Sequence, residues 1–260
     1  MSTTISSYQL VAADLPRALA TARSKPVVAR EAEYYLAHIQ EAKSIEDLLG
    51  DHRLFAFAMK AFGLEDMTYA KAFMRKVLAE GVDSNDAFAR KLADTRYRDF
   101  AETFNFQRYG ETATVFDRTR QGTVDRYVRQ VMEEDAGSQN EGARLALYFQ
   151  RKAATLTSAY GILADAALLK VAQTALGLPA AMSNMDIERQ AELIAARLDV
   201  ADLKDPGKLG KFLTGFAARW DIGNPPTSPS GPALLFAQPL EIGVGGALLA
   251  SLQNLRLGGS

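Results

Sequence analysis

Apolar residues recur at spacings of three and four along most of this chain, and strict apolar–polar alternation is scarce. That period lines side chains along one face of a helix, whereas a strand would need a period of two. In DAALLKVAQTALGL, which begins at Asp165, the residues Leu168, Leu169, Ala172, Ala175 and Leu176 fall on one such face and are expected in a core. Asp165 stands where an N-cap carboxylate satisfies free backbone amides, and Gly177 stands where a left-handed residue ends a helix. The pattern predicts an all-α fold.

A closely related phrase, DHRLFAFAMKAFGL, occurs 114 residues earlier, from Asp51. At that constant offset the identities include Ala29, Arg30, Tyr34, Ser44, Leu49, Asp51, Leu54, Ala58, Ala61, Gly63 and Leu64. Their counterparts are Ala143, Arg144, Tyr148, Ser158, Leu163, Asp165, Leu168, Ala172, Ala175, Gly177 and Leu178. Phe55 with Leu169 and Phe62 with Leu176 keep apolar character. Further on the offset is 116, with Phe100, Ala101 and Phe104 opposite Phe216, Ala217 and Trp220, which implies small insertions in a loop between. Two long copies are not a solenoid, which stacks at least three short units. The expectation is an internally duplicated helical bundle. Residues 1–107 would hold an N-terminal helix and the first copy, 108–222 a bridging helix and the second copy, and 223–260 a proline-rich segment and an apolar C-terminal helix. Small Ala58 and Ala172 would let another helix approach closely.

Around the copies, Leu10, Leu15 and Leu19 mark one short amphipathic N-terminal helix ending near Ser24-Lys25-Pro26. Residues 123–135, TVDRYVRQVMEED, predict the bridging helix, and AGSQNEG, 136–142, a turn or exposed loop. Ser183 to Asp186 reads as a capping box opening a helix through Leu198, and Asp205-Pro206 as an N-cap followed by proline at the first helical position. After Trp220 five of nine prolines, Pro225, Pro226, Pro229, Pro232 and Pro239, crowd together. That stretch is expected to be extended or turning. Beyond it Val244, Leu248, Leu249, Leu252 and Leu255 return to helical spacing, and Leu234, Leu235 and Phe236 form a short apolar run. Between Asp221 and Ser260 the charged residues are Asp221, Glu241 and Arg256. A tail this apolar either packs on the protein's own helices or is covered by a partner, and Leu234, Leu235, Phe236, Val244, Leu248, Leu249, Leu252 and Leu255 are the candidate protein-interaction residues.

Composition narrows the chemistry. The 260 residues carry 30 basic and 31 acidic side chains for a formal charge of −1, so no net field draws the chain to nucleic acid or anionic lipid. The absence of cysteine excludes disulfides, thiolate metal sites and cysteine nucleophiles. The N-terminus lacks the basic and apolar pattern of a cleavable secretory signal, and no apolar run approaches the roughly 20 residues of a membrane span. The two histidines, His38 and His52, lack metal-ligand spacing. Gly243, Gly245 and Gly246 precede a helical pattern but follow no strand, so they do not make a phosphate loop. Arg96 to Gly110 interleaves arginines with aromatics, yet Tyr97, Phe100 and Phe104 have core spacing, and Asp99 and Glu102 break any basic stripe. Glu133, Glu134 and Asp135 read as a solvated patch at a helix end. No nucleophile motif is present. The expectation is therefore no catalytic residue, no cofactor, no metal and no small-molecule substrate.

Several phrases together resemble an alphaproteobacterial family of duplicated helical domains of unknown function, encoded with flagellar genes and often labelled flagellar basal-body rod protein. They are VVAREAEYYLAHI from Val27, DLLGDHRLFAFAMKAFGLEDMTYAKAFMRKVLAEG from Asp47 and FARKLADTRYRDFAETFNF from Phe88. In the second copy they are EEDAGSQNEGARLALYFQRKAATLTSAYGILADAALLKVAQTALGLP and MDIERQAELIAARL. The resemblance covers residues 8 to about 222. It implies a part in flagellum assembly or structure at the basal body and no reaction, with other flagellar proteins or the chain itself as partners. The alternative is a cytoplasmic adaptor or chaperone-like module that handles flagellar subunits.

Overall fold

A computed structural model describes residues 3–225, and among them helices follow one another with no strand. The chain opens with α1 (Thr4–Ala12), α2 (Leu15–Arg23), α3 (Pro26–His38), α4 (Ile45–Gly50) and α5 (His52–Ala61). It continues through α6 (Lys71–Glu80), α7 (Phe88–Lys91), α8 (Thr95–Thr103) and α9 (Phe106–Tyr109). The 19-residue α10 (Gln121–Gln139), about 28 Å long at 1.5 Å per residue, leads to α11 (Glu141–Ala153). Then come α12 (Ala159–Leu163), α13 (Ala166–Leu176), α14 (Ile187–Ala195) and α15 (Pro206–Gly223).

Two apolar cores form. The first buries Tyr35, Ile39, Phe55, Met74, Phe100 and Phe104, together with Val124, Val128 and Met132 of α10. The second buries Leu147, Phe149, Ile162, Val171, Ile194, Leu213 and Phe216. Each such side chain contributes roughly 1.5–3 kcal/mol by leaving water. Helix α10 packs against α2, α3 and α5 and also against α11, so it belongs to both halves.

The local geometry recurs at the sequence offset. Asp51 Oδ1 accepts the N–H groups of Arg53 and Leu54 at the start of α5, and Asp165 Oδ1 accepts those of Ala167 and Leu168 at the start of α13. In each half the second carboxylate oxygen takes a tyrosine hydroxyl, Tyr34 at 2.8 Å and Tyr148 at 2.5 Å. Gly63 and Gly177 both have positive φ, 69° and 62°, a conformation costly for any residue with a Cβ. Ala58 and Ala172 are fully buried, in helices that pack against α10 and α11 respectively. A further identity at the same offset, Ala32 with Ala146, is buried in both halves.

Ser44 and Asp47 form a reciprocal capping box at the start of α4, but the position corresponding to Asp47 is Gly161, and Ser158 makes no side-chain cap bond at α12.

Replacing Asp51 or Asp165 with alanine is expected to lower the unfolding free energy by about 1 kcal/mol, up to about 2, in urea titrations. The bonds from Leu54, Tyr34 and Arg53 outweigh the burial that would raise the Asp51 pKa and leave it below the usual carboxylate value. Its stabilising effect is therefore complete above about pH 3.9 and fades as pH falls toward the folded value. The Asp51→Ala protein should lack that part of the acid limb.

Several sequence expectations are corrected. The N-terminal helix is two helices, because Asp14 caps α2 through the Arg17 amide and Pro16 lies in the first turn of α2. Leu10 is not on a core face but 80% exposed, while Tyr8 of the same helix enters the second core. Residues 136–142 are not a loop. Helix α10 runs to Gln139 and α11 starts at Glu141, with Asn140 capping through the Ala143 amide. Gly142 serves helix packing there, since a Cβ would come within 2.5 Å of Trp220 and 2.7 Å of Thr4. The anticipated capping box at Ser183 is a 3-10 turn, Ala180–Asn184, and α14 begins at Ile187 and ends at Ala195. Asp205 does cap α15, accepting the Lys208 amide, with Pro206 in the first turn.

Candidate functional site

The eight candidate interaction residues, Leu234, Leu235, Phe236, Val244, Leu248, Leu249, Leu252 and Leu255, lie outside the described residues, as do the proline-rich segment and the expected C-terminal helix. What the structure describes is the body that precedes them in the chain. Helix α15 ends at Gly223 and packs against α1, and each of these helices exposes a large aliphatic residue, Ile222 at 82% and Leu10 at 80%. The pair is tied together at Thr4, whose backbone N–H donates to Asp221 Oδ2 at 3.0 Å and whose hydroxyl donates to Asp221 Oδ1 at 2.5 Å.

Other residues weighed for chemistry have structural places. The His38 ring stacks on Tyr34, with Nδ1 2.8 Å from the Tyr34 carbonyl oxygen, and His52 is exposed in the first turn of α5. Phe100 and Phe104 are fully buried against Phe62. Among the described residues no group of three or more His, Asp or Glu side chains is placed to hold a metal ion, and no helix is long and apolar enough to cross a membrane.

The acidic run at the end of α10 is not a solvated patch. Glu133 is only 2% exposed and accepts hydrogen bonds from Arg129 of its own helix at 3.1 Å and from Arg151 of α11 at 2.7 and 2.8 Å. Burial alone would lower the Arg151 pKa, but its bonds to Glu133 hold it above the ordinary value. Glu134 pairs with Lys60 of α5 at 2.7 Å and Asp135 with Lys25 at 2.5 Å. Helical periodicity could not place these three acids, because their partners lie up to 110 residues away in sequence.

Beside this cluster lies an open cleft of about 1030 Å³ where α8, α10 and the segment from α11 to α12 meet. Its wall carries Arg98, Asp99 and Glu102 of α8, Arg118, Arg126 of α10, Arg151 and Lys152 of α11, and the hydroxyls of Thr155, Thr157 and Ser158. Lys152 reaches across to Asp99 at 3.2 Å. Periodicity marked Arg98 and Arg126 only as polar positions on helices, so the sequence held no signal that they share one cleft.

Residues 61–209 match the model of a family described as a protein of unknown function, DUF1217. A crystal structure of a protein from Agrobacterium tumefaciens is similar at a TM-score of 0.80 and 44% sequence identity, over 85% of this chain and 94% of that one. No curated protein shows significant similarity.

Proposed function

Since the chain belongs to the DUF1217 family of unknown function, we propose that it is a non-enzymatic, flagellum-associated structural or assembly protein acting through protein–protein contacts. The observation that carries the non-catalytic part is the use made of its withdrawn acids. Glu133 is consumed by two guanidinium groups, and Asp51 and Asp165 by two amides and a tyrosine hydroxyl each. A catalytic acid or base needs a free face toward a substrate, and these groups spend theirs on architecture. The flagellar part rests on the resemblance of the phrases from Val27, Asp47, Phe88 and Glu133 to proteins encoded with flagellar genes.

Partner contact is assigned to the tail. Its eight candidate residues follow a body whose last helix already exposes Ile222 beside the helix that exposes Leu10. Removing everything from Gly223 onward should leave far-ultraviolet circular dichroism per residue of the body unchanged and release the protein from the basal-body fraction of lysed cells. A truncated protein that still copurifies with basal bodies contradicts the assignment of contact to the tail. Full-length protein found wholly in the cytosol contradicts the structural role and favours an adaptor for flagellar subunits.

A further inference from the structure

The cleft between α8, α10 and α12 has more cationic groups than its own carboxylates use. Lys152 is taken by Asp99, and Arg129 and Arg151 by Glu133. Arg98 and Arg126 make no hydrogen bond or ion pair among the described residues, and Arg126 lies over the Phe62 ring at 4.8 Å. Arg118 donates its Nε to the Thr103 carbonyl oxygen at 3.2 Å, and its two terminal nitrogens have no protein acceptor among the described residues. Burial, with repulsion from Arg151, lowers the Arg126 pKa despite the attraction of Asp99 and Glu102. The cleft also continues into a hollow of about 410 Å³ that shares Arg98, Glu102 and Arg118 and adds Arg90 and Arg108.

We propose that this cleft binds an acidic segment of a partner protein, with Arg98, Arg118 and Arg126 taking its carboxylates. Planar guanidinium forks match carboxylates in charge and geometry. The lining decides between polyanions. Asp99, Glu102, Asp125 and Asp165 interrupt the arginines, and a phosphate backbone, which offers acceptors only, would meet their repulsion along its length. An extended peptide offers both acceptors and amide donors, so its carbonyls suit the free guanidinium and hydroxyl groups while its N–H groups suit Glu102. The main cleft is at the upper end of the roughly 300–1,000 Å³ of small-molecule pockets and opens into a second hollow, as a chain segment needs and a compact ligand does not.

The inference rests on the reading of the protein as one that works through protein contacts, but it concerns the body and not the tail. The test uses full-length protein and a short fluorescent peptide of alternating Glu and Ser, followed by anisotropy. The expected result is saturable binding that weakens with salt, falls about tenfold or more in Arg98→Ala and in Arg126→Ala, and tightens in Glu102→Gln. Arg98 has no ion pair to break, so the melting temperature should hold in Arg98→Ala, whereas Arg126→Ala also gives up the contact with the Phe62 ring and its binding is read beside its own melting curve; Arg189→Ala on α14 should bind like the parent. Absence of saturable binding, affinity unmoved by the two arginine variants, or an oligothymidylate bound more tightly than the peptide through the same arginines would each overturn the proposal. Loss of basal-body association on tail removal while the peptide still binds would separate the two sites; peptide binding lost with tail association intact would condemn the cleft alone.

Discussion

Replacing Glu133 with alanine is expected to lower the unfolding free energy by about 3–5 kcal/mol, because it leaves Arg129 and Arg151 largely buried without their counter-charge. The two arginine side chains are 17% and 25% exposed, so water can restore little of what the carboxylate supplied. The cause can be separated from simple loss of packing. A triple variant, Glu133→Leu with Arg129→Met and Arg151→Met, should recover most of the loss. Urea unfolding of the parent, the single variant and the triple variant checks this, and a triple variant no more stable than the single one would show that packing, not unpaired charge, sets the cost.

Trp220→Ala should cost about 3–5 kcal/mol and should loosen the N-terminal helix first. Trp220 is buried in the second core, packs on Phe216, lies under the Lys170 ammonium group and fills the space that Gly142 leaves open. The same close contact holds Thr4, so the tryptophan links α1, α11 and α15. Its removal leaves a void bordered by a glycine and a threonine, neither of which can expand to fill it. Urea unfolding reports the total loss. Amide hydrogen exchange should show protection falling in residues 4–12 before it falls in α3 and α5, and uniform loss across both halves would contradict this local linkage.

How much of this was legible in the sequence depended on the range of the interaction. Asp51, Asp165, Gly63, Gly177 and Asp205 act within a few residues of their own positions, and local rules placed them. Phe100, Phe104, Phe216 and Trp220 were readable as core because helical spacing survives in any arrangement of helices. The break at Asp14 went unread because the leucine spacing runs through it. Residues 136–142, with Gly137 and Asn140, suggested a loop, whereas Gly142 within them answers to Trp220, 78 residues away. Glu133 suggested solvent for the same reason, since its partner Arg151 belongs to the next helix. The arginine-lined cleft depends on three helices meeting, and no pattern within one helix encodes it.

The molecule is proposed to work by holding another protein through its tail, while its acids Asp51, Glu133 and Asp165 serve architecture. The most direct measurement places a photocrosslinking residue at Leu249 of the otherwise intact chain in living cells and identifies what is captured. One dominant adduct with a flagellar protein is expected, lost when Leu248 and Leu252 are both changed to glutamate. Adducts confined to residues 3–225 of the same chain would contradict it.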